Sequence, residues 1–119
     1  MKATELRIGN KLFDYNDRII TINLIDYPIQ VKEYFVGCKE NHSRYTIDDI
    51  KPIPLTEQRL KDFGFRKYSS TQYDKDDFWS IKYEGERGFY SNQLECYIKY
   101  VHQLQNLYFA LTDKELIKS

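Results

Sequence analysis

Histidine is the residue type best suited to proton transfer or metal binding near neutral pH, and the sequence contains two, His42 and His102. His102 falls on the polar side of a predicted helix, beside a tyrosine-rich strand, where its imidazole could act as a general base or a ligand. No second histidine follows at helical spacing, and His42 falls in a segment predicted to be a loop. The pattern therefore favours a hydrogen-bonded histidine at the surface or boundary of the fold over a catalytic one.

Acidic and nucleophilic side chains form no stronger catalytic pattern. Asp74, Asp76 and Asp77 lie close together, but they lack the glycine and the distal glutamate of a calcium-binding loop, so a solvated turn is favoured. Ser69–Ser70 and Cys96 have neither a base nearby in sequence nor the glycines of a nucleophile elbow. The five glycines are scattered and form no phosphate-binding loop. The sequence therefore predicts a protein that is not an enzyme and that holds no metal or cofactor.

Cysteine usage and the start of the chain indicate a reducing compartment. Cys38 and Cys96 are the two cysteines, which are too few and too far apart for a metal-binding pattern, so free thiols are expected. Residues 1–5 lead into charged positions without the apolar segment of a signal peptide. No apolar stretch approaches the length of a membrane span. We therefore expect a protein of the bacterial cytoplasm that does not bind membranes.

The balance of charge indicates which class of partner the protein binds. The sequence has 18 basic and 18 acidic residues, with eight of each in residues 1–55 and ten of each in residues 56–119. Affinity for nucleic acid comes largely from neutralised phosphates, so a neutral chain disfavours non-specific nucleic-acid binding. The alternative is an aromatic and basic platform for a single strand, formed by residues 66–68 with Trp79, Lys82 and Tyr83. A protein partner is favoured, and nucleic acid is expected only as part of that partner's complex.

The N-terminal half of a single predicted domain, residues 1–52, consists of short strands. Apolar runs predict strands within residues 6–15, 18–25, 29–36 and 45–47, with Asn16-Asp17 as a hairpin turn. Residues 37–43 are polar and are predicted to form a loop. Four or five short strands in about 50 residues are typical of a small curled sheet or an SH3-like barrel.

A proline joint leads to the C-terminal half, residues 53–119. Pro52 and Pro54 cannot lie inside a helix or a central strand, so residues 50–55 are predicted to be extended and stiff. Thr56 is predicted to cap a helix of about two turns that ends at Gly64. The fold class is therefore α+β. Further strands are predicted at residues 65–68, 78–83, 89–90 and 94–98, with an acidic turn at 74–77 and a hairpin loop at 84–88.

The last predicted element is an amphipathic helix from Tyr100 to Leu111. Apolar residues recur there at spacings of three and four, with polar residues between them. Residues 112–115 resemble a capping box, which predicts a further helical turn that buries Leu116. The predicted buried face comprises Val101, Leu104, Leu107, Tyr108 and Leu111. The predicted polar side comprises His102, Gln103, Gln105 and Asn106.

Tyrosine accounts for 11 of the 119 residues, and its amphipathic ring suits both half-buried strands and interfaces. In the strand at residues 78–83, alternation places Trp79, Ile81 and Tyr83 on the buried face. Other aromatic residues nearby are then free to be exposed within a rim of mixed charge, which is the usual anatomy of a protein-binding hot spot. The predicted partner-binding residues are Tyr73, Phe78, Tyr90 and Arg87.

Three segments form continuous sequence motifs: ELRIGN at residues 5–10, IKPIPLTE at 50–57 followed by FGF at 63–65, and YVHQLQNLYFALT at 100–112. Together they resemble a family of small, uncharacterised proteins encoded by phages, prophages and neighbouring mobile elements. The resemblance extends from end to end except for residues 69–95, and its motifs are structural.

The resemblance implies a genomic context. Small non-enzymatic proteins of mobile elements often inhibit host defences by occupying a partner's surface, as anti-CRISPR proteins do. An anti-CRISPR protein that is similar in size and composition targets a type VI, RNA-cleaving effector. The resemblance therefore implies a binding inhibitor of a bacterial defence system. The alternative is a nucleic-acid-binding phage accessory protein.

Overall fold

Two antiparallel sheets, each with its strands in sequence order, make up most of the fold. The computed structural model describes residues 1–41, 43–75 and 79–117, with Trp79 described by its backbone alone. The first sheet contains β1 (Lys11–Phe13), β2 (Ile19–Asp26), β3 (Phe35–Cys38) and β4 (Arg44–Thr46). The second contains β5 (Arg66–Lys67), β6 (Gln72–Lys75), β7 (Trp79–Tyr83), β8 (Phe89–Ser91) and β9 (Cys96–Ile98). With the helices α1 (Glu57–Asp62) and α2 (Val101–Thr112), this architecture confirms the predicted α+β class.

The first sheet curls into a half-barrel. Phe13 pairs with Ile19 of β2 on one side and with Lys51 on the other, where the backbone N–H of each residue donates to the carbonyl of the other at 2.9 and 2.8 Å. The chain therefore returns to the edge of β1 after β4, which partly closes the sheet. This confirms the barrel-like N-terminal half. Its core contains Leu6, Leu12, Ile20, Ile22, Val36, Cys38, Tyr45 and Ile50.

The β1–β2 turn is held by one buried carboxylate. The Asp14 side chain accepts hydrogen bonds from the backbone N–H groups of Asn16 and Arg18, at 2.8 and 3.0 Å, and from the Arg18 guanidinium at 3.0 Å. These donors keep the pKa of Asp14 below its usual value although desolvation acts to raise it. Asp17 takes the left-handed conformation at the turn, with φ of 61°. The hydrogen bonds to Asp14 thus stabilise a turn that contains no glycine.

The third strand lies later in the sequence than predicted. Residues 29–34 belong to a loop, and β3 begins at Phe35 and includes Gly37, which was expected in a loop. The backbone N–H groups of Val31 and Lys32 both donate to the carbonyl of Pro28, at 3.1 and 2.9 Å. Lys32 has a φ of 57°, which no strand accommodates. The turn that begins at Pro28 therefore ends the pairing and leaves an apolar segment outside the sheet.

The proline joint connects the two halves as predicted. Its backbone pairs with the start of α2, because the N–H of Leu55 donates to the carbonyl of Lys99 at 2.8 Å and the N–H of Val101 donates to the carbonyl of Ile53 at 2.9 Å. The Thr56 hydroxyl accepts a hydrogen bond from the backbone N–H of Arg59, which confirms the N-cap of α1. After α1 the chain turns at Gly64, where φ is 89°.

The second sheet buries one face against the helices. Its inner face contributes Tyr73, Ile81, Phe89 and Ile98 to a core that also contains Leu60, Phe63, Leu104 and Tyr108. The predicted acidic turn at residues 74–77 is wrong in part, since Asp74 and Lys75 belong to β6 and pair with Ser80 and Trp79. Asp76, Asp77 and Phe78 lie outside the described residues.

Tyr83 departs from the predicted burial. It shares the face of the buried Ile81, but 48% of its surface is exposed. Tyr83 is the last residue of β7 and borders an open pocket of about 350 Å³ that also touches Thr56 and Glu57. Solvent reaches the ring from this pocket because the inner face of the sheet is not covered at its end.

Helix α2 confirms most of the predicted apolar face. Val101, Leu104 and Tyr108 are buried, whereas Leu111 is 48% exposed at the end of the helix. The helix stops at Thr112, and Asp113 caps it in the left-handed conformation with φ of 58°. The predicted further turn at residues 112–115 is therefore absent from the described structure, but Leu116 is buried as predicted.

The sequence suggested that the polar side of α2 would face solvent, but side chains on this side contact the N-terminal half. Gln105 is buried, donates from its side-chain amide to the carbonyl of Gly9 at 3.0 Å, and accepts from the backbone N–H of Lys11 at 2.9 Å. The Asn106 side chain accepts from the Asn10 amide at 2.8 Å and donates to the carbonyl of Glu5 at 2.7 Å. These contacts attach the N-terminal half to α2 through hydrogen bonds.

Candidate functional site

The outer face of the second sheet carries a row of polar and aromatic side chains. Strand pairing aligns Gln72, Lys82, Tyr90 and Tyr97 across β6, β7, β8 and β9. Each of these residues alternates with a buried neighbour on its strand, so the row points away from the core. The row ends in two tyrosines on adjacent strands.

Tyr90 and Tyr97 form an aromatic pair on this face. Their ring centroids are 5.1 Å apart with an interplanar angle of 61°, which is an edge-to-face arrangement. Tyr90 is half-buried and Tyr97 is 40% exposed. The pair therefore presents part of two rings to solvent in a defined geometry.

A charged pair surrounds the Tyr97 hydroxyl. The hydroxyl donates to a carboxylate oxygen of Glu84 at 2.9 Å and accepts from the Arg87 guanidinium at 3.4 Å. The hydrogen bond to Tyr97 raises the pKa of Arg87, whose guanidinium is in any case charged at every physiological pH. We call Tyr90, Tyr97, Glu84 and Arg87 the tyrosine face.

The β7–β8 connection positions these charges. Residues Gly85–Arg87 form one turn of 3-10 helix, and the backbone N–H of Glu84 donates to the carbonyl of Gly88 at 2.9 Å. Gly88 has a φ of 92°, and a Cβ at this position would lie 2.7 Å from the carbonyl oxygen of Ile98. Glycine is therefore required for β8 to pair closely with β9, and this pairing brings Glu84 and Arg87 over Tyr97.

Two of the four predicted partner-binding residues come together in the tyrosine face. Tyr90 and Arg87 both lie there, joined through Tyr97, which the sequence prediction does not include. In the strand Cys96–Ile98, Tyr97 alternates with the buried Ile98, and this alternation could have placed Tyr97 on the outer face.

The other two predicted residues have different outcomes. The predicted exposure of Tyr73 is wrong: it lies on the inner face of β6, only 3% exposed, against Phe89 with ring centroids 5.9 Å apart. Its burial raises the pKa of its hydroxyl. The prediction failed because Tyr73 lies in β6, a strand that the sequence analysis did not predict, and this strand places Tyr73 opposite Ile81. Phe78 lies outside the described residues.

His102 is buried rather than at the surface. Its ring stacks on Tyr100 with centroids 6.0 Å apart, and Nε2 lies 3.9 Å from a carboxylate oxygen of Glu5. Neither ring nitrogen has a hydrogen-bond partner in the described structure, contrary to the predicted hydrogen-bonded histidine. Burial lowers the pKa of His102, although Glu5 opposes this shift. The imidazole is therefore held neutral at physiological pH.

The described residues contain no group of three or more His, Cys, Asp or Glu side chains that could hold a metal ion. Within the same part of the chain, neither helix has the length and apolar character needed to cross a membrane.

Comparisons of the chain with protein families, with curated proteins and with solved structures found no match.

Proposed function

We propose that this protein is a small, non-enzymatic inhibitor that binds a bacterial defence effector through the tyrosine face. The observation that carries the proposal is the aromatic pair of the exposed Tyr97 and the half-buried Tyr90 within a rim formed by Glu84 and Arg87. Tyrosine and arginine are the residue types enriched at binding hot spots. Their position on strands and on a hydrogen-bonded turn means that little conformational entropy is lost when a partner binds.

An open hollow beside Tyr97 supports a protein partner. It has a volume of about 300 Å³ and is lined by Glu5, His102, Gln103 and Leu107 as well as by Tyr97. A projecting side chain of a partner can enter such a hollow while its neighbours contact the two rings. Anchors that fill pockets next to aromatic residues provide much of the binding energy in protein complexes.

The resemblance to proteins of phages and mobile elements supplies the proposed setting. We place the inhibitor in the cytoplasm of a bacterial host, where it binds the protein component of a CRISPR effector. The type VI, RNA-cleaving class is the specific target to test first. RNA enters this proposal only as part of the effector complex.

The first experiment measures binding and inhibition together. Tagged wild-type protein is used to capture its partner from the native host, and it is titrated against a type VI effector in an RNA-cleavage assay. Tyr90→Ala and Tyr97→Ala are each expected to weaken binding by roughly 1–4 kcal/mol because truncation removes a hot-spot ring. Circular dichroism checks that the variants remain folded.

Tyr68→Ala is the matched control. Tyr68 is 75% exposed but lies outside the tyrosine face, so its loss should leave binding unchanged. If Tyr68→Ala weakens binding as much as Tyr97→Ala, the tyrosine face is not the binding surface. If the captured partner has no role in defence and RNA cleavage continues at saturating inhibitor, the proposed function is wrong.

The runner-up function is single-stranded nucleic-acid binding. It is favoured by Lys82, which is paired with Tyr90, and by Arg87 beside Tyr97, since bases stack on tyrosines flanked by cations. Glu84 acts against it by placing a carboxylate on the Tyr97 hydroxyl. Binding to naked RNA or DNA that falls steeply with salt would favour this function over the inhibitor, because phosphate contacts release counterions.

A further inference from the structure

The loop between β2 and β3 carries a second exposed apolar surface, separate from the tyrosine face. Five large side chains on or beside this loop are exposed, and Ile29 is the most exposed of them at 77%. We call them the apolar tip: Leu24, Tyr27, Ile29, Val31 and Tyr34. The exposed surfaces of these five residues add up to on the order of 500 Å², which is within the range of the largest apolar patch of a monomer.

The apolar tip is an ordered surface. The rings of Tyr27 and Tyr34 contact each other across the loop with centroids 4.6 Å apart. The Pro28 carbonyl accepts the backbone N–H groups of both Val31 and Lys32, which closes the turn. A surface fixed in this way loses little entropy on association, so its apolar area is available to stabilise a complex.

We infer that the apolar tip is a twofold self-association surface whose occupant is the apolar tip of a second copy of the chain. The first argument is area. Two tips in contact would bury at most about 1,000 Å² in total, which is the lower limit for a specific interface, so the expected dimer is weak. The contact leaves the tyrosine face free because that face lies on the second sheet.

The second argument is charge. Lys32 and Glu33 are adjacent, exposed and of opposite sign at the tip. In a twofold contact, if one residue meets a second residue of the other copy, the reverse contact also forms. Lys32 of each copy can therefore pair with Glu33 of the other, so the tip is complementary to itself. Because these charges cancel, the tip has no net attraction to an anionic membrane.

Sedimentation velocity of the full chain over a range of micromolar concentrations tests the inference. The wild type is expected to change from monomer to dimer with increasing concentration. Ile29→Glu is expected to remain monomeric, because it buries a carboxylate in the contact. Ile117→Glu is the matched control, since Ile117 is 70% exposed but lies near the C-terminus, and it should dimerise like the wild type.

Charge reversal tests the twofold geometry. Lys32→Glu should weaken dimerisation by placing like charges opposite each other, and adding Glu33→Lys to the same chain should restore it. A wild type that is monomeric at every concentration would overturn the inference, as would a dimer that Ile29→Glu leaves intact. Binding of a monomeric wild type to phosphatidylcholine vesicles, abolished by Ile29→Glu, would overturn it in favour of a lipid surface.

Discussion

At the residue scale, the buried polar side chains affect the properties of the protein more than the exposed ones do. His102 occupies a position on α2 where the local pattern predicts solvent, but the N-terminal segment covers it and Glu5 lies beside it. A buried imidazole without hydrogen bonds is stable only in its neutral form. The residue that appeared most suited to proton transfer is therefore poorly placed for it.

The lowered pKa of His102 predicts a loss of stability in mild acid. An unfolded histidine binds a proton near pH 6.5, whereas the folded state resists protonation, so the unfolded chain binds more protons below that pH. The free energy of unfolding should therefore fall as the pH drops from about 7.5 to about 5, by at most about 1.4 kcal/mol per pH unit. Urea unfolding at a series of pH values measures this slope.

Two variants assign the slope to one residue. His102→Gln should flatten it, whatever its effect on stability at neutral pH. His42→Gln should leave it unchanged if His102 is the group responsible. A slope that persists in His102→Gln would show that other groups titrate in this range. The carboxylates whose pKa is lowered, Glu5, Asp14, Glu40 and Glu57, lose their contribution at lower pH.

At the element scale, α2 is the helix around which the second core is built. Leu104 is fully buried and packs within the cluster that includes Phe89 and Ile98. The opposite side of the same helix forms hydrogen bonds to the N-terminal half through Gln105 and Asn106. A single helix therefore serves two interfaces, one apolar and one polar.

Leu104→Ala is expected to lower the free energy of unfolding by about 2–5 kcal/mol, because it leaves a cavity in a closed core. Leu111→Ala is the matched control: it removes the same atoms from an exposed position on the same helix and should change stability little. Thermal unfolding followed by circular dichroism compares the two. Equal midpoints for Leu104→Ala and the wild type would contradict the assignment of this face to the core.

At the scale of the whole molecule, two apolar cores are joined by polar contacts and by the Phe13 ring of β1, which packs against the second core. One core lies within the half-barrel and the other between the second sheet and its helices. Arg7 crosses between the halves, since its guanidinium forms an ion pair with Glu115 and lies 4.4 Å from the centroid of the Phe109 ring. Such hydrogen bonds and ion pairs are directional, so they determine how the halves fit together.

Gln105→Ala should weaken this junction. The substitution leaves the backbone N–H of Lys11 and the carbonyl of Gly9 without their side-chain partner, which costs about 1–3 kcal/mol for buried polar groups. Gln58→Ala, on the exposed side of α1, is the control and should be near neutral. If urea unfolding gives the same free energy for Gln105→Ala and the wild type, water or another group satisfies these two atoms, and Gln105 does not join the halves.

The sequence by itself determined the elements whose cause is local. Helix α1 is specified by the Thr56 cap and by Gly64, and the joint by its two prolines. Helix α2 is specified by its apolar spacing. Each of these signals depends on neighbouring residues only. The barrel-like character of the first half was predicted from the number of its short strands, although the bounds of the third strand were wrong. In the candidate site, the local pattern placed Tyr90 and Arg87 near the hairpin of β7 and β8, and their role in binding stays a prediction.

Only the tertiary structure decided which faces are buried. Tyr73 is in the core because β6 pairs with β7, and Gln105 is buried because a segment about 95 residues away in sequence covers it. Tyr97 joins the tyrosine face because strand register sets it beside Tyr90. Each outcome depends on a contact between distant segments, and local periodicity cannot tell a face covered by another element from a face covered by water.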